Sequence, residues 1–318
     1  MRILVTGFTG FIGSHFCRYV LGREQDVQVV GFSRNSDQAN RRRLSMCDFH
    51  GNRLRSVWGD LTDHGAVSGL CEGIDVVVHF AAKTFVDASI KDGFPFIMSN
   101  VVGTFNLLED AKRYGVKKYV QISTDEVYGQ CLEGAYDERA TINPRNVYAA
   151  TKAAGDALAI SYFHTFGLPV IITRTENNFG SFQNRQKAIP TFVRAAMIGE
   201  PLPVYGDGGH VRCWLHVLQH CAAIWHLVTA GSIGEIYHVA GEQELTNLDL
   251  AVRILLHLGK PADQIKFIPD RNIRPGHDRR YALDCAKLRA TGFEVRQDLD
   301  ARLRETVEWY RDNLDWLL

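Results

Sequence analysis

The chain has no apolar run long enough to cross a bilayer, so no membrane-spanning helix is expected. It has no surplus of charge of either sign: 36 acidic residues balance 36 basic ones. That balance argues against recognition of nucleic acid or an anionic membrane through bulk charge. The one dense basic cluster is Arg41-Arg42-Arg43, whose plain reading is a solvated face. There is no Cys-x-x-Cys. The seven cysteines (Cys17, Cys47, Cys71, Cys131, Cys213, Cys221 and Cys285) are odd in number and scattered. A disulfide framework or a zinc site is therefore not expected, and reduced thiols in a cytoplasmic protein are. His216 and His220 are four apart but have no evident third ligand, so no metal is expected. Residues 2–6 read as a strand at once, which leaves no room for a secretory leader. No internal repeat or low-complexity segment is present.

What is present is ordinary globular composition. The 318 residues are 46% hydrophobic and 23% charged, enough for one large domain or two that share a core. Arg2 to Thr6 reads as a short buried strand that runs into Gly7-Phe-Thr-Gly10-Phe11-Ile12-Gly13, then a helix to about Leu21. Strand, glycine-rich turn and helix in that order make a dinucleotide-binding start. The glycines allow the tight turn and let a pyrophosphate approach the helix N-terminus. The next strand, Val27 to Phe32, should end in a carboxylate if the cofactor is NAD, because a carboxylate there binds the ribose diol. That position reads Gly31, and Ser33-Arg34 follows. A hydroxyl and a guanidinium suit a 2′-phosphate, so NADP is expected ahead of NAD, with Arg41 to Arg43 adding field.

Asp60, after a strand at Arg55 to Trp58, is placed to meet the adenine edge or to cap the next helix. Asp75 to Ala82 reads as a buried strand with small residues at its carboxyl end, and Phe94 to Tyr114 as a long helix carrying Asn100. Lys117 to Ser123 reads as another buried strand. It ends in Ser123-Thr124-Asp125-Glu126-Val127-Tyr128-Gly129, and parallel sheets place their chemistry at the carboxyl ends of strands. Tyr148 and Lys152 are four apart on a predicted helix and share one face. A Tyr beside a Lys can serve as a base near neutral pH, because the ammonium favours the phenolate. Asp125 and Glu126 add an acid and a base. The set suits a hydride transfer and also a second proton-transfer step.

Strands alternate with helices through Leu168 to Thr173, which predicts an α/β fold with a doubly wound parallel sheet of the Rossmann type. Past Arg174 the elements shorten and the loops carry more signal. We expect a dinucleotide-binding domain over 1–173 and a smaller substrate-binding domain mainly over 174–318, interleaved with the first. Lys187, Arg212 and Arg274 on those loops suit a diphosphate-bearing substrate. Leu299 to Leu314 has the spacing of a packing helix.

With these residues in hand, the chain resembles the extended short-chain dehydrogenase/reductases, and among them the dTDP-glucose 4,6-dehydratases. The resemblance spans essentially the whole chain. It rests on Gly7, Gly10 and Gly13, on Ser123 to Gly129, and on Tyr148 and Lys152. It rests further on Asn177-Asn178, Ile189-Pro190, Arg212-Cys-Trp-Leu-His216, Thr246-Asn247 and Arg274-Pro-Gly-His277-Asp-Arg-Arg-Tyr281. Related epimerases and decarboxylases usually lack the Asp-Glu pair. The resemblance implies that Tyr148 takes the proton of a sugar 4-hydroxyl, with Lys152 and Thr124 in support. It implies that Glu126 removes the C5 proton while Asp125 protonates the departing 6-hydroxyl. Asp60, Leu61, Ala81, Ala82, Asn100 and Ser123 would line the cofactor with Gly7, Gly10, Phe11, Ile12, Gly13, Ser33, Arg34, Tyr148 and Lys152. Thr84, Asn178, Lys187, Arg212, Asn247, Arg274 and His277 would hold the nucleotide-diphosphate hexose. A homodimer through the helices from Phe94 and from Tyr148 is also implied.

There are departures. Lys83 stands where a Glu is common, Cys213 where Asp is usual between Arg and Trp, and Gln219 where an Asp is expected. Gly180-Ser181 replaces Gly-Pro. Gly31 and the residues after it look more like the NADP-using GDP-mannose 4,6-dehydratases. The alternatives are a 4,6-dehydratase on a GDP-, CDP- or UDP-sugar, a nucleotide-sugar 4-epimerase that uses Tyr148 without the carboxylates, and a non-catalytic NADP-binding regulator.

Overall fold

The structure is a computed structural model that describes residues 1–34, 42–44, 52–269 and 277–318. Twelve strands follow in chain order among these residues: β1 Arg2–Thr6, β2 Gln28–Ser33, β3 Leu54–Trp58, β4 Val76–His79, β5 Lys118–Thr124, β6 Val170–Thr175, β7 Asn177–Phe179, β8 Leu202–Tyr205, β9 Val211–His216, β10 Ile236–Val239, β11 Glu244–Thr246 and β12 Ile265–Ile268. Seven of them form one sheet in the order β10-β6-β5-β4-β1-β2-β3. Every neighbouring pair in it is parallel. The inner strands are buried along nearly their whole length, as a sheet covered on both faces requires.

Alternation decides which residue goes to which face. Ile3, Val5, Val76, Val78, Val120 and Ile122 point to one face, where helices Phe11–Arg23 and Val217–Ala230 cover them with Phe16, Val20, Ile224 and Leu227. Leu4, Val77 and Tyr119 point to the other, against Leu107, Leu108, Ala159 and Tyr162 of helices Gly103–Tyr114 and Val147–Phe166. A third core gathers Phe179, Phe192, Trp214, Leu250, Ile254, Leu303 and Tyr310. It joins the small sheets β11-β9-β7 and β12-β8 to helices Ala188–Ile198, Asn247–Leu258 and Leu299–Asp312. The sheet changes direction at β1, since β2 and β3 lie to one side and β4, β5 and β6 to the other. That reversal opens a crevice at the carboxyl ends of β1 and β4, where α/β sheets bind ligands.

Three details differ from the sequence reading. The helix expected from Phe94 to Tyr114 is interrupted by a π-helical turn at Met98–Val102. Asn100 sits in that turn and is buried. Asp60 does not cap a helix: its Oδ1 accepts from the Thr62 N–H and hydroxyl, both at 2.9 Å, while Asp63 caps His64–Val67. The strand read over Asp75 to Ala82 stops at His79. That ring is buried between the hydroxyls of Thr6, 2.7 Å from Nδ1, and Thr104, 3.1 Å from Nε2.

Candidate active site

The glycine-rich turn leaves β1 at Gly7, whose N–H bonds the Phe32 carbonyl at 2.8 Å. A Cβ at Gly13 would lie 2.3 Å from the Gly7 carbonyl oxygen, so the turn closes only around glycine. The helix it starts has Gly10 as N-cap, no side-chain cap and no acidic residue in its first turn. The N–H groups of Phe11, Ile12 and Gly13 are thus left at the positive end of a helix dipole, a fit for a dinucleotide pyrophosphate. Ala81 lies across the crevice and donates its N–H to Thr6 Oγ1 at 3.2 Å. Ala82 follows it. Gly31 has a physical reason: a Cβ there would come within 2.4 Å of the Phe8 ring. Phe8 therefore requires glycine at 31, and β2 itself runs on to Ser33. The polar groups at this end are Ser33, which accepts the Thr9 N–H at 3.4 Å, and Arg34, 3.7 Å from Asp60. Leu61 is buried, and its carbonyl accepts from Asn106. The Arg34–Asp60 pair is half exposed and contributes little to stability.

Asn100 ties the crevice to the helix that carries Tyr148. Its Oδ1 accepts the Lys83 N–H at 2.8 Å, and its Nδ2 donates to the Lys83 carbonyl and the Thr151 hydroxyl, both at 3.0 Å. A π turn often appears where a helix must aim one side chain, and here it aims Asn100.

The catalytic candidates meet at the end of β5. Thr124 donates to Asp125 Oδ1 at 2.9 Å and accepts the Glu126 N–H at 3.3 Å, starting a 3₁₀ turn over Asp125–Tyr128. Asn146 caps the next helix by accepting the Ala149 N–H at 2.8 Å and donates its own amide to Glu126 Oε2 at 3.0 Å. The Tyr148 phenol lies against the Thr124 hydroxyl. Lys152 is buried and donates to the Ile122 carbonyl at 2.6 Å. Ser123 turns away from the crevice and donates to Asp156 Oδ2 at 3.0 Å.

The two neighbouring carboxyls stand in different surroundings. Burial pushes Asp125 up to about 7, the Glu126 charge adds to this, and Thr124 and Arg212 hold it back. Its Oδ2 is buried with no hydrogen-bond partner. Burial also raises Glu126, but the Asn146 amide and the charges of Lys187 and Arg212 pull it down. Burial brings the Lys152 ammonium down to about 8, against the pull of Asp156. For Tyr148, burial and then the Glu126 and Asp125 charges hold the phenol above its ordinary value. The sequence reading expected Lys152 to lower that phenol; here burial and the carboxylates dominate.

On the opposite wall, Lys187 donates to the Thr84 carbonyl at 3.1 Å and its ammonium lies over the Phe85 ring. Arg212 donates to the Asp278 carbonyl at 2.8 Å, sits 3.1 Å from His277 Nε2 and covers the Tyr281 ring. His277 stacks on His210 with ring centroids 4.1 Å apart, and the His210 carbonyl accepts the Asn247 N–H at 2.9 Å. Asn247 thus joins Arg212 and His277 in one cluster. Asn178 turns its amide to Thr175 and the Glu176 carbonyl, with Oδ1 unpartnered. Arg274 and Arg41 lie outside the described residues. Asn146, His210 and Glu176 were missed in the sequence. Of these, Asn146 had a readable signal, an Asn placed as N-cap to the Tyr148 helix.

The model of the GDP-mannose 4,6 dehydratase family matches residues 4–306. The chain belongs to that family. A dTDP-glucose 4,6-dehydratase of Streptomyces niveus is 45% identical over 99% of this chain and 94% of its own. The solved dTDP-glucose 4,6-dehydratase DesIV of Streptomyces venezuelae, with NAD bound, superposes with a TM-score of 0.94 at 42% identity, covering 99% of this chain and 98% of that one. A UDP-glucuronic acid 4-epimerase of Bacillus cereus superposes with a TM-score of 0.92 at 26% identity, over 98% of this chain and all of its own. Rossmann-type fold, dehydratase family and a nicotinamide dinucleotide as cofactor class all agree with the sequence reading. A family member of this kind is an enzyme, a hydro-lyase of nucleotide sugars.

Proposed function

We propose that the enzyme converts dTDP-glucose to dTDP-4-keto-6-deoxyglucose. The observation that carries the reading is the pair Asp125 and Glu126 beside Tyr148, the first buried and the second half-buried, in different surroundings. Glu126 accepts from Asn146 and faces two cations, which favours its carboxylate. Asp125 keeps an unpartnered oxygen and holds a proton into neutral pH. Such a split assigns base and acid. Tyr148, steered by Thr124, receives the 4-hydroxyl proton. The glycine-rich turn with Phe11, Ile12 and Gly13 would hold a nicotinamide dinucleotide, which when bound would supply the hydride acceptor for C4 and the donor for C6. The 4-keto group acidifies C5, Glu126 takes that proton, and Asp125 protonates O6 as it leaves as water. Lys187, Arg212, Asn178, Asn247, His277, Thr84 and Arg274 hold the nucleotide sugar, so residues 174–318 mainly serve substrate.

For the cofactor, Ser33 and Arg34 support NADP over NAD, although the two solved relatives above hold NAD. Exposed Phe94, Ile97, Phe105 and Val147 on adjoining helices support a homodimer through that face. Incubation of the purified enzyme with dTDP-glucose, read by mass, tests the main reading. Loss of one water is the expected result. An unchanged mass with inverted C4 would mean an epimerase. Dissociation constants for NADP and NAD, and sedimentation of the wild type against Phe105→Asp, test the other two.

A further inference from the structure

β5 and β6 run parallel with Thr124 opposite Thr175. The first residue past the end of each strand is a carboxylic acid: Asp125 after β5, Glu176 after β6. Both side chains are more than nine-tenths buried. Asp125 uses Oδ1 to accept from Thr124, and Glu176 uses Oε1 to accept the Leu283 N–H at 3.1 Å. The remaining oxygens, Asp125 Oδ2 and Glu176 Oε2, are both buried without a hydrogen-bond partner. Two unpartnered carboxyl oxygens at the same level of adjacent strands satisfy each other if one carries a hydrogen.

We infer that Glu176 is a positioning residue for Asp125: the two carboxyls share a proton, and Asp125 enters the elimination in its acid form because Glu176 stands beside it. This rests on the dehydratase reading. As the C6–O6 bond breaks, a proton passes from Asp125 to O6 and departs in water. The C5 proton passes to Glu126, and the C5–H electron pair becomes the C5=C6 bond. Hydride return to C6 and a proton at C5 complete the product. The proton lifted from the 4-hydroxyl by Tyr148 matches the one that Asp125 must regain.

The surroundings set the charge of the pair. Glu126, Arg212, Tyr148 and Tyr281 face Asp125. Glu244 and the Cys213 and Cys285 thiols face Glu176. Arg212 is the one cation among these groups, so two negative charges on the pair would be poorly compensated. The Cys213 thiol lies within hydrogen-bond reach of the Glu176 carboxyl and brings no further negative charge to it. A cavity of about 560 Å³ is lined by Cys213, Leu283 and Glu244. Two of these, Cys213 and Leu283, also touch the Glu176 carboxyl.

The test is Glu176→Gln, which keeps shape and the Leu283 bond, with Glu176→Asp as the conservative variant. Paired carboxyls titrate further apart than single ones. The alkaline limb of kcat on dTDP-glucose should therefore move to lower pH by about one unit or more in Glu176→Gln, and return toward wild type in Glu176→Asp. C4 oxidation, read as reduced cofactor in a single turnover, should be unchanged. A limb that stays in place, or loss of both steps together, overturns the inference. The infrared C=O stretch of a protonated carboxyl, followed against pH without substrate, is a readout that does not depend on activity. Its midpoint should fall in Glu176→Gln; an unmoved midpoint overturns the proposal. If wild type leaves dTDP-glucose untouched, the function reading fails, and the infrared midpoint alone decides for Glu176.

Discussion

At the scale of single residues, the site separates two jobs that one carboxylate could not do together. On the proposed mechanism, Tyr148→Phe removes the group that takes the 4-hydroxyl proton. We expect kcat to fall by about 10²–10⁴, the usual worth of a positioned base, with the cofactor dissociation constant unchanged by titration calorimetry. Asp125→Asn keeps the shape but, on the same mechanism, cannot protonate O6. It should still oxidise C4, so reduced cofactor accumulates at 340 nm (roughly stoichiometric with enzyme,) while no water is lost. The pH dependence follows from the acid's raised value. A carboxyl held up to about 7 keeps its proton below that pH and loses it above. Elimination should therefore decline on the alkaline side of neutrality, unless Glu176 extends the limb as proposed. Lys152, brought down to about 8, loses its charge somewhat later. A pH–rate series on the elimination step, set beside one on C4 oxidation, separates the two groups.

At the scale of elements, the π turn at Met98–Val102 joins two parts of the site. Through Asn100 it fixes both polar backbone groups of Lys83, and through Thr151 it grips the helix that carries Tyr148. Asn100→Leu is close in size but leaves those groups unpaired. It should cost about 1–3 kcal/mol of stability and weaken cofactor binding, because residues 81–85 lose their anchor. Urea unfolding and a cofactor titration on one preparation check both. This element also shows where sequence reading stops. Apolar spacing over Phe94 to Tyr114 made the helix legible, and β-branched runs made β1, β5 and β6 legible to within about two residues. Nothing local marks a π turn, since it is imposed by what Asn100 must reach. The Tyr148–Lys152 and Thr124–Glu126 sets were legible because each lies on one element. Glu176 was not, because its meaning depends on which strand pairs beside β5. Gly31 stood out in the sequence, but its packing reason, the Phe8 ring, needed the folded turn. Asp60 was read as an adenine contact or a cap, and only the turn at Thr62 shows that the cap is Asp63.

At the scale of the whole molecule, several ionisable groups are buried against their preference, and they oppose one another in acid. Burial lowers His79 to about 3, His216 to about 3 and His220 to about 3, and lowers His15 and His238 to about 4. An unfolded chain binds protons at these sites near pH 6.5, and the folded one does not until far lower. Each such His therefore gives its full contribution above pH 6.5 and loses it as pH falls toward the folded value. Asp125 and Glu176 act with the opposite sign, since their raised values let the folded state take protons first. The stability profile of the wild type is thus a difference between two opposing sets, and one substitution is a sharper probe than the profile. His220 is the best choice. It is fully buried on helix Val217–Ala230, which packs against Phe11–Arg23, and neither ring nitrogen has a hydrogen-bond partner. His220→Leu keeps most of the volume and removes both unpaired atoms. At pH 7.5 the change should be neutral or stabilising. Below pH 6.5 the variant should gain on the wild type by about 1.4 kcal/mol per pH unit, the cost of one proton that only the unfolded wild type can accept. Urea midpoints for both proteins at pH 7.5, 6.5 and 5.5 (roughly one unit apart,) measure that gain. A constant difference across the series would mean that the folded protein admits the proton at His220, and that helix Val217–Ala230 opens to solvent in acid.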